Sequence, residues 1–124
     1  MAAGINILVN DGGAPARIMK LGNAAADINA GTFVGLHTDG TTPVNSRALG
    51  VLLVDAVSGD PASVITGSGL MCYVASTGSI AIGDMLSHDG DGLAVTNVAT
   101  DEVLAIALEI GGATHTGFTK VLLN

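Results

Sequence analysis

Histidines with acidic neighbours are the residues of this sequence whose types suit metal binding. His37 is followed by Asp39, and His88 by Asp89 and Asp91, so imidazole and carboxylate groups occur at short spacing. A calcium-binding loop would need more oxygen ligands and a distal glutamate, which the second segment lacks. We therefore predict solvated turn residues here, with no metal and no other cofactor. A metal shared by histidines around an oligomer axis is the alternative that one chain leaves open.

Cys72 is the single cysteine, so no disulfide can form within the chain. A cysteine acts as a nucleophile only when a base lies close to it in space. Its neighbours Met71, Tyr73 and Val74 are residues of the kind that fill a core. The sequence therefore predicts a buried, unreactive thiol.

Serines in turn-forming segments are the remaining candidate nucleophiles, at Ser68, Ser76 and Ser79. None of them stands in a Gly-x-Ser-x-Gly elbow at a strand-to-helix junction. The glycines around Ser68 are not followed by the lysine and helix of a phosphate-binding loop. No catalytic arrangement can be assembled from these residues, so we predict that the chain is not an enzyme.

The charge of the chain excludes one large class of partner. Eleven carboxylates outweigh four cations, which gives a net charge of −7. The cations form no basic stripe, so nucleic-acid binding is not expected. No apolar run approaches the ~18 residues that a membrane span needs. The N-terminus also lacks the basic start and long apolar core of a signal peptide, which predicts synthesis in a reducing cytosol.

Short strands are the elements that would position these residues. In the stretch from Ser63 to Leu86, apolar runs alternate with turns, and Gly67 and Gly69 allow the positive φ of a tight turn. A second corner follows at Gly83, where we expect Asp84 to bond nearby backbone. This succession predicts an all-β fold, a small antiparallel β-barrel or sandwich of about eight to ten short strands.

The N-terminal residues 1–15 are predicted to form an extended arm in front of one barrel domain, residues 16–124. Ile5, Ile7 and Val9 alternate with their neighbours as in a strand, and a pair of glycines then separates them from the rest. We predict that this arm is loosely ordered in the free protein and becomes a strand against a partner. The alternative is an ordinary edge strand of the same domain.

A weak internal repeat divides the domain into two similar halves. Gly31-Thr32-Phe33-Val34 resembles Gly83-Asp84-Met85-Leu86, and an Asp-Gly turn follows each segment. Each half then reaches an apolar run, at 48–53 and at 104–108. The repeat also bears on residues 100–110, which could form either a capped helix or an alternating strand. Because the corresponding run in the first half is a predicted strand, we predict a strand.

Four segments of this sequence resemble the small capsid cement (decoration) proteins of tailed bacteriophages. They are Ala48-Leu49-Gly50-Val51-Leu52, the strand ending in Tyr73-Val74, Ile82-Gly83-Asp84-Met85-Leu86, and Val121-Leu122-Leu123-Asn124. The similarity covers about Ala30 to Asn124. It implies a β-barrel protein on the outside of the phage head, often trimeric at local threefold positions. In such families an N-terminal arm frequently adds to the capsid shell.

The function that this resemblance implies is structural. The chain would be a virion protein that binds the major capsid protein on the outer surface and stabilises the junctions between its subunits. It would form a homotrimer, would bind neither nucleic acid nor membrane, and would be made in the host bacterial cytoplasm. The predicted capsid-binding residues are Ile5, Ile7, Leu8, Val9 and Asn10. The alternative is a small-ligand or glycan-binding β module, with His37 and His88 lining one rim.

Overall fold

A computed structural model describes residues 7–9, 17–23, 27–34, 50–89, 92–97 and 103–123, which form strands and connections without a helix. The strands are β1 (Arg17–Asn23), β2 (Phe33–Val34), β3 (Gly50–Leu52), β4 (Pro61–Thr66), β5 (Met71–Ala75), β6 (Met85–His88), β7 (Ala94–Thr96), β8 (Ala105–Ala107) and β9 (Phe118–Leu123). They build a four-stranded antiparallel sheet in the order β1-β4-β3-β2 and a five-stranded one in the order β5-β9-β8-β6-β7.

The predicted all-β fold of short antiparallel strands is confirmed, and of the two architectures the sandwich is the one observed. The two sheets pack together without closing into a barrel. Gly67 and Gly69 have the positive φ expected of the turn, +144° and +81°. The turn does not make a hairpin, because β4 pairs with β1 and β3 while β5 pairs with β9. It carries the chain from one sheet to the other.

The main core lies between the two sheets. One face of the four-stranded sheet contributes Phe33, Val51 and Ile65. The five-stranded sheet contributes mostly small residues to the same cluster, namely Cys72, Val74, Leu86, Ala94, Ala105, Ala107, Val121 and Leu123. A second, smaller cluster covers the reverse face of the four-stranded sheet and consists of Ile28, Val34, Leu52, Ala56, Ala62 and Val64. The central strands of the four-stranded sheet are therefore buried on both faces.

The internal repeat is visible in the topology. The order β1-β4-β3-β2 corresponds to β5-β9-β8-β6, with β7 as an additional strand in the second half. The backbone bonds correspond as well: the Gly31 N–H donates to the Leu52 C=O at 2.8 Å, and the Gly83 N–H donates to the Ala107 C=O at 2.9 Å. The two glycines also share a positive φ, +89° and +87°. The two halves are thus variations of one four-stranded unit.

The ambiguous segment contains a strand, as predicted, but only over Ala105–Ala107. Side-chain size would suggest that Ile106 faces the core and that its alanine neighbours face outward. The structure shows the reverse, because Ala105 and Ala107 face the core while Ile106 is 38% exposed. Small residues on the inner face of β8 leave room for the bulky residues that the other sheet inserts.

Gly31 connects the two sheets through its backbone. Its N–H donates to Leu52 in the four-stranded sheet, and its C=O accepts the Ala75 N–H of the five-stranded sheet at 2.9 Å. A Cβ at this position would lie 2.8 Å from the Phe118 ring and 3.2 Å from the Ala75 nitrogen. Both the positive φ and the lack of space therefore require glycine here.

The substitution Gly31→Ala should destabilise the protein much more than Gly83→Ala. At Gly83 a Cβ would meet nothing within 4 Å, so only the positive φ is penalised, at about 1–2 kcal/mol. At Gly31 the overlap with Phe118 and Ala75 should add about 1–3 kcal/mol. Urea unfolding of the two variants measures the difference, and equal losses would show that Gly31 is not a crowded junction.

Candidate functional site

The N-terminal segment is bound along the outer edge of β5. The Val9 N–H donates to the Met71 C=O at 3.1 Å, and the Tyr73 N–H donates to the Ile7 C=O at 2.8 Å. The segment runs antiparallel to β5. Ile7 is 3% exposed and belongs to the main core. These described residues of the arm thus act as an added edge strand of the five-stranded sheet.

Ile7 therefore has its partners within the domain, as in the alternative of an edge strand, whereas we predicted that the arm becomes a strand against another protein. The alternation of the sequence shows a strand but does not show which edge it covers, and the edge of β5 lies far away in the chain. Leu8 and Val9 are half-buried. Ile5 and Asn10, the other predicted capsid-binding residues, lie outside the described residues. The role of these five residues in capsid binding remains a prediction.

The outward face of the five-stranded sheet carries a continuous row of apolar side chains. Met71 is opposite Leu122, Leu122 is opposite Ile106, and Ile106 is opposite Met85, so the row crosses β5, β9, β8 and β6. Directly opposed side chains on one face contact each other. Met85 is 56% exposed, and Met71 and Leu122 are half-buried. We refer to these four residues as the apolar row.

The apolar row has a buried counterpart in the first half of the chain. Under the repeat its members correspond to Ile18, Ile65, Val51 and Phe33, which are opposed in the same register. Ile65 and Val51 are fully buried, and Phe33 is 2% exposed, because the five-stranded sheet covers them. Ile18 is 58% exposed, so three of the four positions of this row are core in the first half, whereas the second half carries the row on its surface. Contiguous exposed apolar side chains of this kind mark protein contact surfaces.

Polar and aromatic groups border the apolar row on β5 and β9. Tyr73 is opposite Lys120, two residues along from the pair of Met71 and Leu122 on the same face. The Tyr73 ring meets the His115 ring edge-on, with centroids 5.0 Å apart and an interplanar angle of 76°. The row therefore has an apolar centre and a mixed margin, which is the common composition of protein interfaces.

The candidate metal ligands divide between described and undescribed residues. His88 is the last residue of β6 and lies opposite Ala94. The Asp89 carboxylate accepts the Leu93 N–H at 3.2 Å, so it bonds to backbone that lies just before β7. Within the part of the chain that the structure describes, no three His, Cys, Asp or Glu side chains come together as a metal site. His37, Asp39 and Asp91 lie outside that part.

Asp84 and Ser76 have structural partners. The Asp84 carboxylate accepts the Ala81 N–H at 2.9 Å, which confirms the predicted bond to local backbone at this corner. The Ser76 hydroxyl is 2.8 Å from the hydroxyl of Thr119, a fully buried residue. This bond satisfies a polar group inside the core, where an unpaired hydroxyl would be costly.

Cys72 is buried, as predicted. It is fully covered within β5, on the face that packs against the four-stranded sheet. Burial disfavours the charged thiolate and raises the pKa of the Cys72 thiol to about 12. Because the thiolate is the reactive form, this thiol is inert near neutral pH.

Comparison with known proteins identifies a family and a similar fold. Residues 14–123 match the family of phage cement proteins. A search of curated proteins gives no match. Among solved structures, the head fiber gp8.5 N base in bacteriophage phi29 superposes with a TM-score of 0.62 at 18% identity, over 89% of this chain and 95% of that chain. Because the two sequences are only 18% identical, this structural similarity shows a shared fold alone. In the described residues, no helix is long and apolar enough to cross a membrane.

Burial of Cys72 should make the protein less stable at alkaline pH. The unfolded chain releases the thiol proton near the ordinary pKa of 9.0, whereas the folded protein keeps it until about pH 12. The stabilising contribution is thus complete below pH 9 and declines between these two values as the pH rises. Urea unfolding over this range should show a steeper decline for the natural protein than for Cys72→Ala, which has no thiol.

The substitution Cys72→Ser provides the matched control. Its hydroxyl does not titrate in this range, so its decline should parallel that of Cys72→Ala, although the unsatisfied hydroxyl should cost about 1–3 kcal/mol at neutral pH. If all three proteins decline equally, the thiol does not contribute to the pH dependence.

Proposed function

This chain belongs to the phage cement protein family, and from that premise we propose that it binds the outside of a phage capsid and stabilises the junctions between major capsid protein subunits. The chain acts by binding and catalyses no reaction. Its partners are the capsid protein and further copies of itself, without nucleic acid or membrane. It is made in the host bacterial cytoplasm and is then added to the virion.

The observation that carries this proposal is the apolar row. Four opposed side chains on neighbouring strands form a firm surface, because their backbones are fixed by the ladders of the five-stranded sheet. Little conformational entropy is lost when such a preformed surface binds. In its counterpart in the first half, Phe33, Val51 and Ile65 are already covered by a sheet. We assign the exposed row to contact with the major capsid protein.

The stabilising mechanism is mechanical. Packaged genome presses outward on the shell and tends to open the seams between capsid subunits. A rigid module that touches two subunits opposes this opening, because both contacts must break before the seam can widen. Several modest contacts made together bind far more tightly than each one alone, since each raises the effective concentration of the others.

We include the homotrimer in the proposal. Apart from the apolar row, Ile18 and Val54, the described residues expose three further large apolar side chains, Val57, Ile82 and Ile110. These side chains are available for contacts between copies in addition to the capsid contact. Sedimentation of the free protein and of protein released from particles should both give a trimer. A dimer in both states would contradict this part of the proposal.

The arm also contributes to the proposed function, and its residues have different roles, which the sequence did not predict. Ile7 anchors the arm in the core, so its side chain serves the fold and not the capsid directly. Val9 is partly accessible beside Met71, at the β5 end of the apolar row, and extends the surface that we assign to the capsid. Leu8 lies opposite Cys72 and packs against the main core, so it faces the inner side of the sheet.

The substitution Met85→Asp should weaken binding to phage particles that lack this protein. A carboxylate in the apolar contact must lose its hydration without gaining a partner, and the loss should be about 30-fold or more. Val54→Asp is the matched control, because Val54 is 54% exposed and Met85 is 56% exposed, but Val54 lies outside the apolar row. Co-sedimentation of labelled protein with particles measures the binding.

Two further measurements make this test specific. Both variants should melt at the temperature of the natural protein, because both side chains are exposed. Met85→Asp should also sediment like the natural protein, so that lost binding does not reflect a lost trimer. Equal binding of the two variants would exclude the apolar row as the capsid contact.

A further inference from the structure

We propose that the outer edge of β1 is a second attachment point, at which an extended acidic segment of a partner adds as a strand. This inference rests on the proposed function, under which the partner is the major capsid protein. It is carried by the backbone geometry of β1, by the internal repeat and by the charges on the strand.

The backbone groups of β1 alternate between β4 and the outside. In β4 the Ser63 C=O accepts a hydrogen bond at 2.9 Å from the N–H of Leu53, the residue directly after β3. The backbone N–H and C=O groups of Ser63 therefore point towards β3. Successive residues of a strand point their N–H and C=O groups to opposite sides. The backbone N–H and C=O groups of Val64 therefore point towards β1, where they meet those of its partner Met19. The N–H and C=O groups of Ile18 and Lys20 consequently point away from the sheet.

The second half of the chain shows what this edge can bind. Under the repeat Ile18 corresponds to Met71 and Lys20 to Tyr73, since the members of each pair occupy the same register positions. On β5 these outward backbone groups form hydrogen bonds with the arm: the Met71 C=O accepts one, and the Tyr73 N–H donates one. The arm is thus an added strand at this very position of the repeated unit. No residue in the described ranges pairs with the outer edge of β1.

The charges on β1 indicate the chemistry of the partner. Arg17 and Lys20 are both exposed, and they are two of only four cations in a chain of net charge −7. Across the ladder they face Thr66 and Ser63, neither of which is a carboxylate. With the described residues neither cation forms an ion pair. Opposite charges on directly opposed strand residues stabilise pairing, so carboxylates on the added strand would complement this edge.

The same charges disfavour a second copy of β1 as the added strand. Two antiparallel copies would bring Arg17 and Lys20 of one chain near those of the other, and like charges opposed across strands are destabilising. Ile18, which is 58% exposed between the two cations, gives the added strand an apolar contact as well. The fitting segment is therefore extended and apolar in its centre, with acidic residues at its ends. Backbone pairing supplies affinity, and the side chains supply selectivity.

The first test uses the free full-length protein and a synthetic peptide. The probe repeats residues 5–10 with aspartate in place of Ile7 and Asn10, because Ile7–Val9 pairs with β5 and the same register on β1 places these two positions opposite Lys20 and Arg17. The control peptide carries lysine at both positions. Backbone amide NMR should show the largest shifts at Ile18 to Lys20, and the lysine peptide should bind about tenfold more weakly. Shifts confined to β5, absence of binding, or equal binding of both peptides would overturn the inference.

The second test separates the backbone from the charge. Lys20→Ala removes the cation only, whereas Lys20→Pro also removes the outward N–H and leaves the bonds to β4 intact. Proline is tolerated at such edge positions. Lys20→Pro should bind the acidic peptide about tenfold more weakly than Lys20→Ala, the effect of one lost backbone hydrogen bond. Equal affinities would show that no strand is added here.

Phage particles then connect the site to the virion. Lys20→Pro should bind particles more weakly than Lys20→Ala, while both melt at similar temperatures. If both variants and the natural protein bind particles equally, the inference fails and the proposed function stands. If the natural protein does not bind particles at all, the proposed function fails, and the peptide experiment still tests the edge. A dimer that Lys20→Pro abolishes would also overturn the inference, because a second copy would then cover β1.

Discussion

The close approach of two backbones at Gly31 is the constraint on which the rest of the sandwich depends. There one residue bonds to Leu52 of the four-stranded sheet and to Ala75 of the five-stranded sheet, in a space too small for a side chain. Gly92 makes a second such contact, since its C=O accepts the Phe33 N–H at 2.9 Å and a Cβ there would overlap Phe33. These two glycines bond strands of different sheets directly, so the relative position of the sheets does not depend on side-chain packing alone.

The exposed apolar row follows from the way the two repeated units stack. The bulky row of the first unit, with Phe33, Val51 and Ile65, packs on the inner face of the second unit, where β8 presents Ala105 and Ala107. This complementarity of large and small residues fills one space between the sheets. The stacking leaves the corresponding bulky row of the second unit outside. An asymmetric packing of two similar units thus creates both the core and the apolar row.

The sequence predicts the local structure well and the long-range pairing less well. The turn at Gly67 and Gly69 and the corner at Asp84 could be predicted because turn chemistry depends on adjacent residues. Ile7 could not be paired with β5, since alternation identifies a strand but not its neighbour. The outward direction of the Ile106 side chain could not be predicted either, because both faces of this strand carry apolar residues. The apolar row becomes visible only when the registers of β5, β9, β8 and β6 are known.

Under the proposed function, two different kinds of contact on two different sheets would hold a seam closed. The apolar row lies on the five-stranded sheet and gains free energy by removing apolar area from water, at roughly 25 cal/mol per Å². The edge of β1 lies on the four-stranded sheet and would bind through backbone groups whose geometry the ladder with β4 already fixes. Because the bonds at Gly31 tie the sheets together, a partner that pulls on one surface transmits the force to the other. A module of this construction resists separation of its partners through hydrogen bonds within its own backbone, which is the mechanical property that a cement protein requires.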